Sequence, residues 1–345
     1  MAWQYPISST STTTTIDLTT TDNVYVAQQV AITSSKGIGV YGSGSNHHAV
    51  IDGTVAGYYE AVWLGSNGSV DKGQFLEISK TGKLFSGDGY GAAIYAASSN
   101  VQNEGVIIGG FIGVEFQAIS TTGFSTFNNS GSIVGRDYIG VSFRGSTQEI
   151  RIDNSGTIKS VAAVQGGQGV DKFLNRGTVI GTVDLGLGQD TYDGRTGSVK
   201  GAVSGGEGAD KLYGGKEANI LHGDAGKDRM YGAGGADKLY GGADSDTFVY
   251  LKTTESTLTV RDAIYDFNHI DFIDLHSIDA RTTTSGNQAF TFIGSAAFAH
   301  HAGELRYLKS GGDTYVYGDT NGDAKTDFSI KLEGSFAMEK GDFLL

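Results

Sequence analysis

The sequence predicts an all-β protein, a parallel β-helix running into a parallel β-roll and ending in a β-rich cap. Three observations predict this. Five 9-residue units run in register from Gly205 to Val249. A longer Gly-centred repeat with a shrinking period fills the N-terminal half. The composition holds 54 Gly and 1 Pro in 345 residues, a Gly share about twice the usual one, which suits a chain of many tight turns. The elements divide as a polar N-terminal segment (1–23), a β-helix (24–204), a nonapeptide roll (205–250) and a C-terminal domain (251–345).

The N-terminal repeat reads N-E-G-V-I at Asn103, N-S-G-S-I at Asn129, N-S-G-T-I at Asn154 and N-R-G-T-V at Asn175, with a last member ending at Val199. Its glycines, Gly105, Gly131, Gly156, Gly177 and Gly197, are spaced 26, 25, 21 and 20 residues apart. Other short apolar segments recur between these turns, such as G-V-E-F at Gly113 and G-V-S-F at Gly140. Three short strands per coil, punctuated by Gly, is the pattern of a parallel β-helix. Ile107, Ile133, Ile158 and Val179 should line one inner wall, and the Asn of each turn can ladder its amides. A β-sandwich of hairpins explains neither the shrinking period nor its merger into nonapeptides.

The five units read GGEGADKLY, GGKEANILH, GDAGKDRMY, GAGGADKLY and GGADSDTFV. The sixth position holds Asp210, Asn219, Asp228, Asp237 and Asp246, and the eighth holds Leu212, Leu221, Met230, Leu239 and Phe248. This is the G-G-x-G-x-D-x-U-x repeat of the calcium-binding parallel β-roll. Each unit is one turn and one short strand, so two units make a coil. Asp210, Asp228 and Asp246 should stack along one edge, and Asn219 and Asp237 along the other. Ca2+ prefers 6–8 hard oxygens. The Asp carboxylates can supply some. Backbone carbonyls of the turns supply the rest, at Gly205, Glu207, Gly208, Gly223, Ala225, Gly226, Gly232, Gly234, Gly241 and Ala243. The second unit departs most, with Glu217 in place of Gly and Asn219 in place of Asp. Upstream, GGQGVDKF at Gly166 and GLGQDTY at Gly186 extend the acidic edge to Asp171 and Asp190.

The formal net charge of −13 argues against a nucleic-acid partner. There is no Cys, hence no disulfide. No run of 18 apolar residues suggests a membrane span. Met1 to Thr21 lacks the pattern of a cleaved signal peptide. Two His pairs, His47-His48 and His300-His301, read as surface-loop residues.

After Tyr250 the chain alternates apolar and polar residues. The motifs D-T-F-V-Y (Asp246–Tyr250), D-A-I-Y-D-F (Asp262–Phe267), D-F-I-D-L-H-S-I-D-A (Asp271–Ala280), A-G-E-L-R-Y (Ala302–Tyr307), G-D-T-N-G-D-A-K-T-D-F (Gly318–Phe328) and G-D-F-L-L (Gly341–Leu345) follow. With the nonapeptides, this stretch resembles the C-terminal domain of the serralysin family of secreted metalloproteases, in the wider repeats-in-toxin class. The resemblance implies an extracellular protein exported by a type I secretion transporter that reads an uncleaved C-terminal signal. Asp342-Phe343-Leu344-Leu345 is similar to such a signal; the other reading is a final strand. The protease's H-E-x-x-H zinc motif is absent from the sequence, so protease activity does not carry over. Asp319, Asn321, Asp323 and Asp327 resemble half an EF-hand loop, although Asn321-Gly322 also suits a hairpin turn.

Two functions compete. One is a secreted calcium-binding protein with a structural, adhesive or matrix role, in contact with extracellular polysaccharide or a cell surface. The other is a polysaccharide lyase or C5-epimerase on the β-helix, for which Glu60, Tyr90, Glu115, Arg136, Asp137, Tyr138, Arg144 and Arg151 supply residue types but no recognised spacing. The discriminator is a groove along the helix that gathers a Tyr or His with Arg and Asp.

Overall fold

A computed structural model describes residues 2–5, 10–12, 15–19, 22–66, 71–117 and 123–345. The protein is all-β, a parallel β-solenoid of about 11 turns with 2% helix. It divides into two compact units, residues 1–190 with 197–201, and residues 191–196 with 202–345.

In the first unit, three strands make each early turn. One wall runs through His48–Ile51, Phe75–Ile78, Asn100–Asn103, Phe124–Asn129, Glu149–Asn154 and Lys172–Asn175, all parallel. A second stacks Thr54–Gly57, Lys83–Ser86, Val106–Gly109 and Ser132–Gly135. A third stacks Val62–Gly65, Tyr90–Tyr95, Ile112–Phe116 and Ile139–Ser142. At Thr157–Gly167 the second and third walls fuse: this one 11-residue strand pairs with both Ser132–Gly135 and Ile139–Ser142. Fusion removes the intervening turn, which is why the Gly period drops from 25 to 21 there.

Burial drives the stacking. Val55, Leu84, Ile107, Ile133, Ile158 and Val179 lie opposite one another in successive turns and are fully buried. Burying one such side chain stabilises by about 1.5–3 kcal/mol. The Asn row is buried too. Asn103 Nδ2 donates to Asn129 Oδ1 at 2.7 Å, Asn129 to Asn154 at 2.7 Å and Asn154 to Asn175 at 2.8 Å. An amide is both donor and acceptor, so identical residues satisfy one another along the stack. The turns beside them approach closely: a Cβ on Gly131 or Gly156 would lie 2.1 Å from the carbonyl oxygen of Gly105 or Gly131.

In the second unit, two strands make each turn. Ala202–Glu207, Ile220–Ala225 and Lys238–Ala243 form one wall, and Lys211–Tyr213, Arg229–Tyr231 and Thr247–Val249 the other. The eighth-position residues Leu212, Leu221, Met230, Leu239 and Phe248 are all buried between them. Beyond the repeats, Asp262–Ile264 and Phe272–Asp274 add one strand to each wall. The antiparallel meander Glu304–Ser310, Asp313–Asp319, Phe328–Leu332 then docks its last strand in parallel on Asp262–Ile264. Phe343–Leu344 pairs in parallel with Phe272–Asp274.

One expectation is corrected. His47 is no surface-loop residue. It is buried, its ring nitrogens face the carbonyls of Asp22 and Ser43, and His48 opens a strand.

The Asn row yields a first prediction. Asn154→Ala strips a partner from both Asn129 and Asn175 and should cost about 2–4 kcal/mol. Asn128→Ala, at the exposed neighbouring position, should stay within about 0.5 kcal/mol. Urea denaturation of both variants measures the difference, and equal losses would refute a structural role for the row.

Candidate metal site

Each sixth-position residue immediately precedes a strand, and its side chain folds back across the turn. In the second unit, Asp228 Oδ1 accepts the Asp210 N–H at 2.8 Å, and Asp246 Oδ1 accepts the Asp228 N–H at 2.9 Å. On the opposite edge, Asp237 Oδ1 accepts the Asn219 N–H at 2.7 Å. The first unit repeats the device: Asp171 Oδ1 accepts the Ile150 N–H at 2.8 Å, and Asp190 Oδ1 the Asp171 N–H at 2.6 Å. The structure therefore brings Asp210, Asp228 and Asp246 into one row, Asn219 and Asp237 into a second, and Asp171 beside Asp190.

Two Asp residues extend the rows that sequence reasoning missed. Asp262 Oδ1 accepts the Asp237 N–H at 2.9 Å, and Asp271 Oδ1 accepts the Asp246 N–H at 3.0 Å. Each follows its predecessor by 25 residues, so a 9-residue period does not find them. A signal was present: D-A-I and D-F-I repeat the Asp-x-apolar order of D-K-L and D-T-F.

One carboxylate oxygen per Asp is thus occupied. The other, Oδ2, is buried without a partner at Asp171, Asp228, Asp237 and Asp246, while the Asp262 carboxyl meets the Tyr250 hydroxyl. The first Gly of each repeat makes room for it. A Cβ on Gly205, Gly223, Gly232 or Gly241 would lie 2.2–2.5 Å from the Oδ2 of the Asp five residues on. The fourth position takes positive φ at Gly208, Gly226, Gly235 and Asp244. Glu217 does not adopt it, and the Asn219 Oδ1 of that unit turns to its own Gly215 N–H at 2.7 Å. The turn carbonyls of Ala225 and Ala243 accept the Gly208 and Gly226 N–H groups at 2.7 and 3.2 Å, and each keeps a second lone pair. Gly234 donates to the Gly215 carbonyl at 3.0 Å, and the Glu207 side chain is exposed. Among the described residues no three acidic or His side chains converge on one point, so any ion here draws on backbone carbonyls as well.

Stacked turns lie about 4.8 Å apart, so like charges in a row repel strongly when desolvated. Burial pushes the Asp171, Asp237 and Asp246 carboxyls up to about 7 and Asp228 up to about 6, against the pull of the N–H each accepts. Burial, with the Asp237 charge beside it, holds Asp262 well above the ordinary range. Buried, unpaired, charge-repelling oxygens set beside turn carbonyls fit a hard divalent cation.

The Asp319 loop differs. Asp319 accepts the N–H groups of Asn321, Gly322 and Ala324 at 3.1, 2.7 and 2.8 Å, and Asp327 accepts the Thr320 N–H at 2.8 Å. These carboxylates are engaged by the connection between two antiparallel strands.

Parallel turns carrying Asp rows at one fixed position define a β-roll of the repeats-in-toxin class. The chain belongs to the serralysin C-terminal family: the profile described as Peptidase M10 serralysin C terminal matches residues 19–345. Repeats of that family bind calcium. No curated protein matches the chain. Among solved structures, the AlgE6R2 subunit of the Azotobacter vinelandii mannuronan C5-epimerase is similar, at 23% identity over 51% of this chain and 90% of that one, with a TM-score of 0.30.

The carboxyl shifts carry a pH prediction. An unfolded Asp titrates near 3.9, so between about 4 and 7 the metal-free fold binds more protons than the unfolded chain. Acidification from pH 8 to 5 should therefore stabilise the metal-free fold, and that stability should be lost as pH rises through about 7. Thermal melts in chelator across this range test the sign; a fold that weakens on going from pH 8 to 5 would refute it.

Proposed function

We propose that this protein is a secreted, calcium-dependent β-roll that folds outside the cell and serves there as a structural, adhesive or matrix-associated component. The observation that carries the reading is the set of buried, partnerless Oδ2 atoms of Asp228, Asp237 and Asp246. Ligands come from Asp171, Asp190, Asp210, Asn219, Asp228, Asp237 and Asp246 and from the turn carbonyls around Gly205, Gly223, Gly232 and Gly241. Bound Ca2+ would neutralise the facing carboxylates and cross-link successive turns. Asp262 and Asp271 join the same rows. Among the described residues no helix is long and apolar enough to cross a membrane. Export through a type I transporter forms part of the same reading, since a Gly-rich, self-repelling chain stays threadable where calcium is scarce.

Circular dichroism with and without chelator tests the reading directly. At pH 8, where the metal-free roll is least stable, chelation should abolish its β signal, and millimolar calcium should restore it; a spectrum indifferent to chelator at that pH would overturn it. Asp228→Ala should raise the calcium midpoint at least about tenfold, since Asp228 lies mid-row between Asp210 and Asp246 and contributes a charge. Asn219→Ala should raise it no more than about threefold, because that side chain closes its own turn. Equal midpoints for the two variants would argue against the assignment of ligands. Residues 251–345 fused to a slow-folding passenger should direct it to the medium in a host with a cognate transporter; a passenger retained in the cell would count against type I export.

A further inference from the structure

The first unit carries another site, on the outer face of its third wall. At one register position of successive turns the outward residues are Trp63, Ala93, Glu115, Ser142 and Gln165. Outward positions of a solenoid wall are ordinarily exposed, yet Glu115 and Ser142 are only 5% and 1% exposed. They lie on the floor of a cleft of about 510 Å³ whose rim includes Tyr90, Phe111, Tyr138 and Arg144. The Phe111 and Tyr138 rings stack with centroids 5.2 Å apart and present 44% and 45% of their surface to solvent.

The floor holds unused acceptors. The Gln117 amide, at 3.5 Å from Glu115 Oε1, and the Ser142 hydroxyl both meet the Glu115 carboxyl, while Glu115 Oε2 and Gln165 Oε1 are buried without a donor within hydrogen-bond distance. Two such atoms facing one cleft call for hydroxyl or amide donors from outside. Burial pushes the Glu115 carboxyl up to about 7, so at neutral pH it can both donate and accept.

We propose that this cleft binds a pyranose chain of an uncharged polysaccharide. A pyranose ring offers a C–H face that packs on the Phe111–Tyr138 pair and a rim of hydroxyls that reaches Glu115, Gln165 and Arg144. An extended peptide is a poorer fit, because the strands flanking the cleft are already paired on both edges and leave no free ladder. A polyanion is disfavoured by Glu115 on the floor and by the net charge of −13. The site rests on the first unit alone and is independent of the calcium reading.

Isothermal titration of the full chain in millimolar calcium with cellohexaose, laminarihexaose, mannohexaose and hexamannuronate tests it. At least one neutral hexasaccharide should bind. Tyr138→Ala, which removes an exposed ring, should weaken that binding at least about tenfold with the circular dichroism spectrum unchanged. Gln165→Ala gives a second reading should Tyr138→Ala lose its fold, and should weaken binding by about fivefold or more. No heat from any neutral sugar, affinity unchanged in a folded variant, or preference for the uronate would overturn the proposal. A chain that binds the sugar but ignores chelator would defeat the calcium reading and leave this one standing.

Discussion

Stacking parallel turns about 4.8 Å apart places every side chain beside its counterpart in the next turn. Each position of the repeat becomes a row, and the chemistry of a row depends on whether its residue complements itself. Aliphatic rows do, through shared burial: Ile107, Ile133 and Ile158 need nothing else. Amide rows do, through alternating donor and acceptor, as in Asn103 to Asn175. Carboxylate rows do not. An Asp offers only acceptors when ionised, and its neighbour offers the same charge.

The structure resolves half of that conflict internally. One register position of this wall caps a backbone N–H of the adjacent turn in several turns, although Ile150, whose side chain has no acceptor, holds it between Ser125 and Asp171. Gln74 does so for His47 at 3.0 Å and Ser125 for Ser99 at 3.0 Å. From Asp171 onward in the first unit, and again along both edges of the second, Asp performs the same task. Neutral Gln and Ser complete it without residue. Asp171, Asp228, Asp237 and Asp246 leave Oδ2 over, buried without a partner. The same structural slot thus closes the turn in the early turns and, in the later ones, also leaves a buried carboxylate oxygen without a partner. The residue type at this position separates the two behaviours, and the change coincides with the fusion of two walls that turns a three-strand turn into a two-strand one.

This division fits the proposed export of an unfolded chain that folds outside the cell. In the proposed reading the stability of the Asp-rich turns depends on bound calcium, whereas the Asn and Ile rows of the first unit satisfy themselves within the chain. The outer face of the third wall is different again. Its row of Trp63, Ala93, Glu115, Ser142 and Gln165 has no common chemistry, and the cleft over it comes from the rings of Tyr90, Phe111 and Tyr138 at the strand entrances.

In a solenoid, residues one period apart in sequence are neighbours in space. The repeat Asn, Ile, Asp and Gly positions were therefore legible directly, together with the two edges of the roll and the shortening of the N-terminal coil. Where the period broke, legibility broke with it. Asp262 and Asp271 extend the same rows after 25-residue steps, and only the pairing of their strands shows it. His47 looked like part of a polar loop, but its burial depends on Asp22, Ser43 and Gln74 from other segments closing over it. The sequence supplied Tyr90, Glu115, Tyr138 and Arg144 as residue types, but only the tertiary structure gathers these four into one cleft and adds Phe111 and Gln165, because they share no fixed spacing. The chain by itself determined which rows exist and which cannot satisfy themselves. The packing of turn on turn decided which oxygens are left buried without a partner, since that depends on which neighbour each side chain meets.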